Sequence, residues 1–96
     1  MLDRLVHLLN RNSIEKKIIE IIEEQLANKD KCSLFFVYEE AKNRVSPTDL
    51  YNAAIAAGVD TDDGLANLVT GAKVLVDRTI DGLYSVGAST IYRKGE

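Results

Sequence analysis

Apolar residues along this chain recur at two different periods, and the change of period divides it. Leu2, Leu5, Val6 and Leu9 repeat at helical spacing, and after a polar break Ile14, Ile18, Ile21, Ile22 and Leu26 do so again. Asn12 or Ser13 can cap the second run, and Asn12 with Glu15 three residues on has the form of a capping box, so a new helix is expected to start there. Asn28 to Lys31 close it with polar residues. A further helix is expected over 34–43, where Leu34, Val37, Tyr38 and Ala41 share a face, although the run from Leu34 to Val37 also suits a strand.

Ser46-Pro47 is a strong helix start, because the serine oxygen accepts from free N–H groups and proline at the first position loses no hydrogen bond. Leu50, Ala53, Ala54 and Ala57 follow on one face, and Gly58 marks the end. Asp60 and Thr61 offer the next cap, with Asp62 and Asp63 in the first turn and Leu65, Leu68, Val69 and Ala72 as its apolar stripe. From Val74 the period becomes two: Val74, Val76 and Arg78 alternate with Leu75 and Asp77, Asp81-Gly82 has the form of a hairpin turn, and Leu83 to Val86 return. Ser89 to Tyr92 resemble one more short strand before a basic end at Arg93 and Lys94. The pattern predicts a mostly α fold with a small β-hairpin, an α+β protein.

The 96 residues suffice for one core, so residues 1–96 are expected to form one domain. Catalysis finds no constellation: His7 stands without a Ser, Cys or metal partner, the Glu pairs at 23–24 and 39–40 diverge around their helices, and no Gly-rich phosphate loop is present. The chain reads as a non-enzyme, with no cofactor and no metal site. Cys32 is alone, which gives no sign of an oxidising compartment. With no signal-peptide pattern and no apolar run of membrane-spanning length, the expected location is cytoplasmic, with no membrane partner. A net charge of −3 argues against a protein that coats DNA non-specifically, and moves attention to where the twelve basic residues lie.

The stretch VYEEAKNRVSPTDLYNAAIAAGVDTDDGLANLVTGAKVLVDRTIDGLYSV, residues 37–86, resembles the winged helix-turn-helix family. A first helix, a polar step ending in Val45-Ser46, a second helix from Pro47, an Ala54-x-x-x-Gly58-Val59 turn and a third helix feeding a hairpin carry the likeness. The small Ala54 and permissive Gly58 suit two helices crossing closely. The resemblance implies a winged helix-turn-helix over 34–86, preceded by a helical segment over 1–30 and followed by a strand and tail over 87–96. It is similar to the small stand-alone DNA-binding proteins of archaea and of archaeal viruses and plasmids, which implies a transcriptional regulator or a replication or partition accessory on double-stranded DNA.

On that resemblance the third helix enters the major groove, with Asn67 and Thr70 reaching base edges and Lys73 at the margin, against the plainer reading of a solvated polar face. Arg78 and Thr79 fall on the wing, Lys42 and Arg44 precede the second helix where the backbone passes, and Arg93 and Lys94 add attraction from the end. Each has a structural alternative, such as pairing of Arg78 with Asp77 or Asp81. Leu2, Leu5, Leu9, Ile18 and Ile22 need burial, either in the chain's own core or at a homodimer interface. Asp60, Asp62 and Asp63 at the start of the third helix oppose phosphate, and motivate an alternative as a protein–protein interaction module or adaptor.

Overall fold

The computed structural model describes residues 13–59, 62 and 64–94. The helix expected around Leu2, Leu5, His7 and Leu9, the Asn12 cap and the helix start at Asp60, Thr61 and Asp63 lie outside the described residues. Helix α1, Ser13–Leu26, forms where the isoleucine stripe predicts it and buries Ile18, Ile19, Ile21, Ile22 and Leu26. Strand β1, Lys31–Ser33, follows, with Cys32 inward and its neighbours in solvent. Helix α2, Leu34–Arg44, begins at once because the Ser33 hydroxyl accepts from the Phe36 N–H at 3.3 Å, so the run from Leu34 to Val37 is helical and the strand lies just before it.

Val45 leaves α2 extended, and Ser46 caps α3, Pro47–Ala56, by accepting from the Asp49 N–H at 3.2 Å. Gly58 ends the segment at φ +81°, where its N–H donates to the Ile55 carbonyl and the Val59 N–H to that of Ala54. These two bonds satisfy carbonyls of the helix's last turn, a closure that the left-handed Gly58 favours. Helix α4, Gly64–Ile80, is 17 residues long, and it corrects the expected change of period at Val74. Val74, Val76 and Arg78 are helical because Gly71, Ala72, Val76, Thr79 and Ile80 continue one buried face, and burial against three other helices outweighs the β preference of valine and threonine.

The hairpin is therefore displaced toward the C-terminus. Asp81-Gly82, with Gly82 at φ +79°, joins α4 to β2, Tyr84–Gly87, and the hairpin turn is Ala88-Ser89, leading into β3, Thr90–Arg93. Both turn residues have positive φ, 52° and 58°, as the right-handed twist of a two-residue hairpin requires. The three strands form an antiparallel sheet in the order β1-β3-β2, with Cys32 and Val86 both opposite Ile91. This is the α+β fold with a hairpin that the pattern predicts. Ile18, Ile22, Cys32, Val37, Leu50, Val76 and Ile91 meet in one hydrophobic core, so α1, β1 and β3 pack with the 34–86 stretch.

Candidate nucleic-acid interface

Helix α4 holds the residues expected to read bases, and its orientation rearranges them. Asn67 is 1% exposed, and neither its amide nitrogen nor its carbonyl oxygen has a protein hydrogen-bond partner. Leu65, expected inside, is 73% exposed. The expected stripe was rotated because it took Leu65, Leu68 and Ala72 as the inner face, whereas the longer helix sets its inner face from Asn67, Gly71, Ala72, Val76, Thr79 and Ile80. Thr79, expected on the wing, is likewise buried, and its hydroxyl donates to the Leu75 carbonyl at 2.7 Å. Arg78 is exposed on the last turns of α4 rather than at a hairpin tip.

What α4 does present to solvent is a stripe of Ala66, half-buried Thr70, Lys73 and Asp77 at steps of three and four. Lys73 forms no ion pair with a described residue. On α2, Tyr38 donates to Asp77 at 2.9 Å. Lys42 lies one turn beyond Tyr38 on α2 and Lys73 one turn before Asp77 on α4, so the two lysines belong to faces that this bond ties together. Burial first, then the hydrogen bond to Asp77 and its charge, push the Tyr38 phenol up to about 12, and it stays protonated as the donor.

Most other expected contacts are occupied within the chain. Lys42 pairs with Glu39 at 3.1 Å. Arg44 forks onto both oxygens of Glu24 at 3.2 and 3.0 Å and reaches Glu40 at 3.1 Å, and the Glu24 hydrogen bond raises its already high pKa. Arg93 pairs with Glu23 at 3.0 Å, beside the Tyr84 hydroxyl, which donates to the same carboxylate at 2.6 Å. Lys94 donates to the Gly82 carbonyl at 3.4 Å. Arg44 and Arg93 thus tie α1 to α2 and to β3. The pairing across 20 and 70 residues is invisible to a reading along the chain.

Helix α3 exposes Thr48, Asn52 and Ile55 and contains no basic residue, so it supplies no charge for phosphate. Ile18 and Ile22, expected at a dimer interface, are fully buried in the chain's own core, and Leu2, Leu5 and Leu9 lie outside the described residues. Among the described residues no group of His, Cys, Asp and Glu could hold a metal ion, and no helix is long and apolar enough to cross a membrane. Burial raises the pKa of the Cys32 thiol, which disfavours the reactive thiolate. The chain matches no protein-family model, no curated protein and no solved structure.

Proposed function

We propose that this chain is a winged-helix DNA-binding protein, a small regulator or replication or partition accessory, with the solvent stripe of α4 laid against duplex DNA. The strand order β1-β3-β2, with α2 entered directly from β1 and α4 passing into the hairpin, is the observation that carries the reading. In such an arrangement the helix that feeds the hairpin and the hairpin itself share one side of the molecule. Thr70 supplies a hydroxyl for a base edge, and Lys73 and Lys42 supply phosphate contacts. The Lys42–Glu39 pair is at the surface, where such pairs contribute about 0–1 kcal/mol, so phosphate competes for the lysine readily.

Fluorescence anisotropy with labelled duplex at a series of salt concentrations tests this. Binding should weaken with salt, and Lys73→Glu and Lys42→Glu should each lower affinity by about tenfold at low salt while reducing the salt slope by about one. Duplex affinity no tighter than the non-specific level of roughly 10⁻⁴ M at low salt would sink the proposal. A second reading, a winged helix used for protein contacts, draws on a different observation. Arg44 and Arg93 are held by the chain's own carboxylates, while Phe35, Phe36, Ile55 and Leu65 stand exposed. Loss of a partner on Leu65→Lys, with Lys73→Glu silent, would favour it.

A further inference from the structure

Among the described residues, strand β2 is an edge of the sheet. Its residues, Tyr84-Ser85-Val86-Gly87, include no proline and no charge, so apart from its shortness it lacks the devices that keep edge strands from pairing with other chains. Val86 stands opposite the fully buried Ile91, yet is itself 47% exposed, and no further strand among the described residues lies on its outer side. Beside it an open groove of about 480 Å³ runs between β2 and the end of α4, lined by Asp77, Arg78, Ile80, Asp81, Tyr84 and Val86. Its floor is apolar, and its rim carries both signs of charge. Unlike Arg44 and Arg93, Arg78 has no ion pair with a described residue, and the Asp81 side chain has no partner among them either.

We infer that this face joins two copies of the chain, β2 against β2 in antiparallel register about a two-fold axis, forming one continuous six-stranded sheet. A two-fold interface requires one patch to carry both halves of every contact. This patch does: the outer side of β2 around Val86, with no neighbouring strand among the described residues, offers backbone donor and acceptor alike, the groove receives an apolar side chain that the edge itself displays in Val86, and Arg78 can meet the Asp81 carboxylate of the partner subunit. A purely basic partner would leave Arg78 opposed by like charge, and a purely acidic one would do the same to Asp77 and Asp81. The pairing uses neither Lys42 nor Lys73, although Asp77 at the groove's rim also ends the α4 stripe proposed to face DNA.

Light scattering on the full chain across a concentration series tests the assignment. The expected mass approaches twice 10.6 kDa at high concentration. Val86→Lys should give a monomer with an unchanged circular dichroism spectrum, and Arg78→Glu should raise the dimer dissociation constant by at least about tenfold. Arg78→Glu combined with Asp81→Arg should restore the dimer, and an equimolar mixture of the two single variants should form a mixed pair. The rescue settles the matter even if Val86→Lys disturbs folding. A wild-type chain that is monomeric throughout, or a dimer indifferent to Val86→Lys and to the Arg78 and Asp81 variants, overturns the inference; the second result would move the interface elsewhere on the chain.

Discussion

The two halves of α4 are built on different terms. Its N-terminal half packs on α3 by backbone approach at Gly71, with Asn67 buried one turn earlier, whereas its C-terminal half packs by side chains, with Val76 and Ile80 in the core and Thr79 satisfied. Thr79 shows the contrast: it is as buried as Asn67, but its hydroxyl returns to the Leu75 carbonyl within its own helix. A short hydroxyl can satisfy itself in that way, and the planar amide of Asn67 does not. The first half therefore depends on absence of volume and tolerates a polar misfit, and the second depends on apolar contact.

Gly71 offers the most severe way to break this arrangement. A Cβ there would overlap the carbonyl oxygen of Leu50 and crowd its carbonyl and α carbons, all of them backbone atoms that cannot rotate aside. Alanine would gain about 1 kcal/mol in helix propensity, but α3 and α4 would have to separate. Gly71→Ala should therefore destabilise the fold by roughly 2–4 kcal/mol net, read as a lower urea midpoint. Gly64→Ala, where nothing lies within 4 Å, is the matched control and should be neutral or slightly stabilising. Equal midpoints for the two variants would refute the close crossing.

Asn67 sharpens the same comparison in the opposite direction. It lies one turn before Gly71 on the buried face, and its two polar atoms are removed from solvent without protein partners. Leaving such groups unmet costs about 1–3 kcal/mol, so Asn67→Leu, which keeps the branched shape of the amide but has bulkier methyl groups, should stabilise the chain by at most about 1 kcal/mol in the same urea experiment. A loss of stability in Asn67→Leu together with a larger loss in Asn67→Ala would mean that the amide is satisfied in solution, by a buried water. Lys73 and Thr70 are untouched by this variant, so the DNA binding proposed above should not change with it.

These two residues also mark how far the chain could be read in advance. The caps at Ser46-Pro47 and Gly58, and the stripes of α1, α2 and α3, were legible because they depend on neighbours within one turn. Asn67 was misplaced because the four apolar residues that defined the expected stripe left out Gly71, whose role depends on Leu50 of another helix. The hairpin was misplaced for a local reason: Ala88-Ser89 has the left-handed conformation without the Asn-Gly or Asp-Gly residues that advertise it, while Asp81-Gly82 has those residues and serves a different turn. Of the expected contact residues, Lys73 and Arg78 are exposed, and Thr70 and Lys42 are half-buried, Lys42 paired with nearby Glu39. Arg44 and Arg93 could not be sorted from them, since their acidic partners are distant in the chain.

The mildest test lies at the C-terminal half, where Tyr38 of α2 donates to Asp77. The phenol is pushed up to about 12, first by burial and then by Asp77, against an ordinary value near 10. The folded state thus holds this proton more tightly than the unfolded one. The stabilisation is fully present below about pH 10 and is lost as pH rises from there through about 12. Tyr38→Phe should cost less than about 1 kcal/mol at neutral pH, since the bond is only partly shielded from water. The sharper readout is spectroscopic. A phenolate absorbance titration of the folded chain, compared with that of Tyr38→Phe, should lose a late component near pH 12, and the variant's stability should fall less steeply than the wild type's across the same interval. If the difference titration instead centres near pH 10, Tyr38 is free of Asp77, and the seam that ties the Lys42 face to the Lys73 face does not hold in solution.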